Sequence, residues 1–145
     1  MSKLFTPREQ ILEVVSRLFV YTDDQDWEKL LKEVFADEVL FDMSSLGNEI
    51  QTLPAKEICE LWEKGFIGLD AVHHLAGNFM VDLDGIVAKV FCYANAVHFK
   101  EAAEYGQTRE FVGSYDLHLT QLERGWRIDG FKYNLKYMTG NVNLE

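Results

Sequence analysis

Cysteine and proline are scarce in this 145-residue chain, with two of each. Only ten glycines accompany the two prolines, which argues against long linkers and low-complexity tracts. Cys59 and Cys92 lie far apart and have neither metal-type nor redox-type spacing. Two buried reduced thiols are expected, with a disulfide between them as the alternative. Basic residues are also few: 14 Lys and Arg stand against 24 Asp and Glu, a net charge of −10. Such a chain repels phosphate backbones and anionic lipid, so neither a nucleic-acid partner nor a membrane partner is expected. No stretch of about 20 apolar residues exists, which excludes a transmembrane helix. The opening MSKLFTPREQ has no apolar run and no small-residue cleavage site. No secretory signal is expected there, and the compartment reads as cytoplasm.

What is present is an ordinary globular balance, 48% hydrophobic and 26% charged, which argues against long disorder. Its length suits a single domain over 1–145. Thr6-Pro7-Arg8-Glu9 is a capping box with proline at the first helical position, where its missing N–H costs nothing. Ile11, Val15, Leu18 and Phe19 follow at helical spacing, so a first amphipathic helix is predicted over about 7–21. YTDDQD breaks it. Trp27, Leu30, Leu31 and Val34, at i, i+3, i+4 and i+7, predict a second helix. Residues 38–43 read as a short strand closed by a turn at SSLGN, and Pro54 opens a third helix with Ile58, Leu61, Trp62 and Phe66 on its apolar face.

From about residue 70 the period shifts towards two. The runs 72–82, 86–101, 108–122 and 126–137 are rich in β-branched and aromatic residues. Asp84-Gly85 and Glu123-Arg124-Gly125 separate neighbouring runs as hairpin turns. Three helices followed by about four long antiparallel strands predict an α+β fold, with the helices on one face of a curved sheet. A curled sheet with helices on its concave face leaves a cone that side chains do not fill, and such apolar hollows bind small ligands.

On the strand 86–101 a period of two puts Ala88, Val90, Cys92, Ala94, Ala96 and His98 on one face. Small residues ending in a histidine suit the floor of a pocket, or equally the close packing of a helix. The opposite face holds Phe91, Tyr93, Val97 and Phe99. His73 and His74 are adjacent, so only one of them can look into the cone. No HxH or HExxH spacing occurs, and no metal is expected. Asp23, Asp24 and Asp26 are more acids than one helix cap needs. Asp24 or Asp26 suits the cap, which leaves a carboxylate able to orient a histidine at the pocket mouth.

The order and spacing of these segments resemble the nuclear transport factor 2-like (cystatin-like) superfamily, and within it the SnoaL-like group that includes the scytalone dehydratases. The resemblance runs from about residue 7 to 137 and is carried by Tyr21-Thr-Asp-Asp-Gln-Asp-Trp27, the short strand ending in Asp42, His73-His74-Leu-Ala-Gly77 and the closing Gly125-Trp126-Arg-Ile-Asp-Gly130. It implies a cone-shaped, curved, mixed or antiparallel sheet wrapped around three N-terminal helices. By position it implies Asp23, His74 and His98 as catalytic residues, and Tyr21, Met43, Ser114 and Asp116 as substrate-binding ones. Two departures stand out. Asp116 replaces a neutral amide, and Met43 replaces a tyrosine.

The implied chemistry is cofactor-free. A histidine with an ordinary pKa of about 6.5 can take and return a proton near neutral pH. Asp23 would fix the tautomer of His74, and an enolate would need a donor such as His98 or a protonated Asp116. A lyase or isomerase of dehydratase type is expected, acting on a small, largely apolar hydroxy-carbonyl or polyketide-like molecule. The fold also hosts non-catalytic binding or assembly modules and small subunits of ring-hydroxylating dioxygenases, which remain the alternatives. The apolar odd face of strand 86–101 predicts a homodimer through the outer face of the sheet.

Overall fold

A computed structural model describes residues 4–145. Residues 1–3, the start of the segment read above for a secretory signal, lie outside the described residues. The chain runs α1 (Pro7–Asp23), α2 (Trp27–Lys29), β1 (Phe35–Asp42), β2 (Gln51–Pro54), α3 (Ala55–Gly65), β3 (Ala71–Asp84), β4 (Val87–Phe99), β5 (Thr108–Leu122) and β6 (Gly125–Gly140). The six strands form one curved, open sheet in the order β2-β1-β6-β5-β4-β3. Every pairing is antiparallel except β1 with β6, so the sheet is mixed.

The capping box at the start of α1 is complete. Glu9 N–H donates to Thr6 Oγ1 at 3.2 Å and Thr6 N–H donates to Glu9 Oε1 at 3.1 Å. Ile11, Val15, Leu18 and Phe19 are buried, as their spacing predicts, and join Val90, Cys92, Tyr115 and Phe131 of the sheet in one core. Asp26 caps α2, its carboxylate accepting from Lys29 N–H at 3.1 Å.

Three local readings need correction. The second helix is a single α turn that widens into a π turn at Leu30–Val34, and β1 follows at once with Phe35. The wide turn buries Leu30, Val34 and Phe35 together while the chain changes direction. The region after Met43 holds an extra edge strand, β2, paired with β1. On α3, Leu61 is 47% exposed, and Cys59 takes its place beside Ile58 on the buried face.

Cys59 and Cys92 are both free and buried. Burial pushes their thiols up to about 11 and about 12, so neither is a ready nucleophile. No described helix is long and apolar enough to cross a membrane.

Candidate active site

Alternation along β4 holds in the structure. Ala88, Val90, Cys92, Ala94 and Ala96 are buried on the concave face, while Lys89, Tyr93 and Asn95 point outward. His74 of β3 stands opposite Ala96, and His98 stands opposite Val72. The two imidazoles are therefore diagonal neighbours on one sheet face, close enough for both to line one cavity. His73, one residue away, is exposed on the other face.

That cavity, about 140 Å³, lies between the concave face and the helices, with His74, His98, Met43, Trp62, Phe111 and Tyr133 among its walls. A cavity of roughly 150 Å³ accepts one benzene ring, so this space is about the size of one six-membered ring. Phe19 lies tilted against the His74 ring at 5.5 Å, and Phe66 and Phe111 flank the His98 ring at 5.7 and 5.1 Å.

Asp23 closes α1 and grips His74 twice. Its carboxylate accepts the His74 backbone N–H at 2.9 Å, and its other oxygen lies 2.6 Å from His74 Nδ1. The pair is shielded, with side-chain exposures of 16% and 10%. A carboxylate accepts only, so the proton of a neutral His74 sits on Nδ1 and Nε2 is left as a base. The local rule is broken here, because a negative charge at a helix C-terminus opposes the helix dipole. Such local violations mark functional or strained sites.

His98 is a different imidazole. Arg109 Nε donates to its Nδ1 at 3.0 Å. Burial above all, then the Arg109 and His74 charges, holds His98 down at about 4, while Asp23 pulls the other way. It is neutral at physiological pH.

The remaining expected residues divide. Met43 lines the cavity. Tyr21 does not: its hydroxyl donates to Glu33 at 3.1 Å, because one helical step turns it away from Thr22, which does face the cavity. Ser114 and Asp116 stand opposite Tyr93 and Phe91 on the outer face, where both accept from Asn134, at 3.2 and 2.8 Å. A protonated Asp116 donating inside the cone is thus excluded by strand parity. The neighbours that do face inward are Phe111, Gly113, Tyr115 and Leu117, and this alternation of apolar and polar residues is visible in the sequence itself.

Tyr133 was not anticipated. Its ring lines the cavity, and its hydroxyl is buried without a protein partner. Burial pushes that phenol up to about 12. Gly113 makes room for it, since an added Cβ there would lie 2.7 Å from the Tyr133 hydroxyl and 2.2 Å from the Asn134 carbonyl oxygen. A larger groove, about 580 Å³, occupies the outer face instead. It is broad, and none of its polar groups is buried as Asp23 and His74 are. Among the described residues no three His, Cys, Asp or Glu side chains converge as a metal site.

A helical cover on a curved sheet, with a His–Asp pair in its hollow, defines the class. Residues 5–132 match the SnoaL-like domain, and the chain belongs to that family, within the nuclear transport factor 2-like superfamily. Among solved structures it is similar to the Kfla4162 protein of Kribbella flavida, at 25% identity over 95% of each chain with a TM-score of 0.90. A candidate scytalone dehydratase from Novosphingobium aromaticivorans matches at 16% identity over 90% of this chain and 84% of the other, with a TM-score of 0.75. The hexachlorocyclohexane dehydrochlorinase LinA-type3 from Novosphingobium barchaimii matches at 12% identity over 92% and 88%, with a TM-score of 0.76. At 16% and 12% identity the last two establish fold alone. No curated protein matches the sequence.

Proposed function

We propose that this protein is a cofactor-independent lyase or isomerase of dehydratase type, acting on a small, largely apolar hydroxy-carbonyl compound. The observation that carries the reading is the shielded Asp23–His74 pair at the wall of an apolar cavity. Membership of a family with dehydratase-like structural neighbours supports a role in processing small molecules. The cavity volume favours a single ring over an extended polyketide.

In this reading His74 Nε2 removes a proton from the carbon α to the carbonyl. Asp23 balances the charge of the imidazolium that forms. The carbonyl oxygen, gaining negative charge, accepts a hydrogen bond from His98 or Tyr133. For an elimination, the electrons of the broken C–H bond form a C=C bond as the β C–O bond breaks. The hydroxide leaves with the proton held by His74, as water. For an isomerisation the same proton returns to another carbon. Met43 and the aromatic walls hold the ring by contact, and Tyr21, Ser114 and Asp116 have no part in it.

The test is turnover of monocyclic β-hydroxy ketones, followed through the absorbance of the conjugated product. His74→Ala should lower the rate by about 10²–10⁴-fold, and an undiminished rate removes the proposed base.

We also infer a homodimer through the outer face. Leu40, Ile50 and Met80 are more than half exposed there, around the groove that also holds Phe91. Lys89 and Lys132 lie among Asp42, Asp82 and Asp116 on the same face, a mixed pattern that a two-fold copy can complement. Two free thiols fit a reducing cytoplasm.

A further inference from the structure

We propose that Arg109 is a positioning residue of this site, holding His98 as a neutral imidazole whose Nε2–H is the donor offered to the substrate oxygen. The inference rests on the acid–base reading above and assigns each imidazole its part in it.

Arg109 of β5 is the direct cross-strand partner of His98 on β4. A guanidinium has donors only and does not lose its proton in proteins. The 3.0 Å bond from Arg109 Nε therefore makes His98 Nδ1 an acceptor, and the single proton of the neutral ring must sit on Nε2. Adding a second proton would break that bond and set two cations side by side.

Arg109 is itself held. Its Nη1 donates to the Val142 carbonyl at 3.0 Å, and its guanidinium lies 5.7 Å from the Phe111 ring, which also flanks His98. The groups bearing on His98 come from three elements: Arg109 of β5, His74 of β3 and Asp23 of α1. Arg109 and His74 disfavour its cation, and only Asp23, already committed to His74, favours it.

Two imidazoles in one cavity are thereby driven to different tasks. His74, backed by a carboxylate, takes protons through Nε2. His98, backed by a cation, cannot compete as a base and can only donate. A neutral N–H beside the base matches an uncharged carbonyl oxygen that becomes an enolate.

The experiment is long-range 1H–15N spectroscopy of the full chain labelled in histidine, with the His98 signals assigned by their loss in His98→Gln. His98 is expected as the Nε2–H tautomer, unprotonated down to about pH 5. An Nδ1–H tautomer, or a midpoint near the ordinary 6.5, overturns the proposal. In Arg109→Met the midpoint should rise by about one unit or more and the tautomers should mix, and an unchanged midpoint overturns it as well. Should that variant fail to fold, the wild-type spectrum decides alone. These signals need no turnover, so they stand or fall separately from the lyase reading, which is tested by the rate of His74→Ala.

Discussion

The carboxylate of Asp23, at the C-terminal end of α1, accepts both the backbone N–H and the Nδ1 edge of His74, 51 residues later in the chain. One side chain thus orients the His74 ring and pins α1 to β3. The two bonds offset an unfavourable charge at the negative end of a helix.

Asp23→Asn should leave one of the two His74 contacts without its acceptor. The expected cost is about 1 kcal/mol of stability, with a fall in turnover approaching that of His74→Ala. Urea midpoints and rates measured on the same preparation check this. A variant as active as the parent would reduce the pair to a structural clasp and leave a binding module.

The cavity can be filled from its floor. Ala96 lines it directly opposite His74. Ala96→Leu should abolish binding of monocyclic ketones, as read by calorimetry, while costing no more than about 1–3 kcal/mol of stability. Unaltered binding would place the ligand elsewhere.

Stability should depend on pH through His98. Its folded value of about 4 lies below its ordinary 6.5, so the folded state binds this proton later than the unfolded one. The neutral ring's contribution is fully present above pH 6.5, is lost as pH falls towards 4, and is flat below that. The upper limit is about 3 kcal/mol. Denaturation of wild type and His98→Gln across that window should show the slope in the parent and its loss in the variant.

Gly113 is bound to its identity by space. A Cβ there would sit 2.2 Å from a backbone carbonyl that cannot yield and 2.7 Å from the Tyr133 hydroxyl. Gly113→Ala should cost about 3 kcal/mol or more, seen as a lowered thermal midpoint. Tyr133→Phe should be near neutral in stability, since the hydroxyl has no protein partner, and should weaken ligand binding if it meets the substrate.

The outer face makes its own prediction. Met80, 63% exposed beside Phe91, sits in the groove that a second copy would cover. Light scattering should give twice the chain mass for the parent at micromolar concentration, and Met80→Glu should shift it to one. A parent of single-chain mass would end the dimer inference.

Much of the fold was legible in local sequence because local spacing carries it. The Thr6–Glu9 capping box, the Asp84-Gly85 turn and the strict alternation from Ala88 to His98 each depend on residues a few positions apart. The π turn at Leu30–Val34 and the edge strand β2 were not legible, since the first buries Leu30 and Val34 in a core drawn from distant elements and the second forms only by pairing with β1. The site divides in the same way. Asp23, His74, His98 and Met43 were placed by resemblance and do meet at the cavity or beside it. Ser114 and Asp116 were carried over one residue out of phase, although Gly113, Tyr115, Leu117 and Leu119 already spell the inward face of β5.

Side-chain direction follows from periods of 3.6 and 2, so the chain's own pattern already tells which face of each element is apolar. That pattern also determined that an acid stands at the end of α1 and a histidine on the inward face of β3 or β4. The contacts themselves, Asp23 on His74 and Arg109 on His98, come from the folded chain. Those pairings depend on strand register and on how α1 seats against the sheet, which set a carboxylate against one imidazole and a guanidinium against the other.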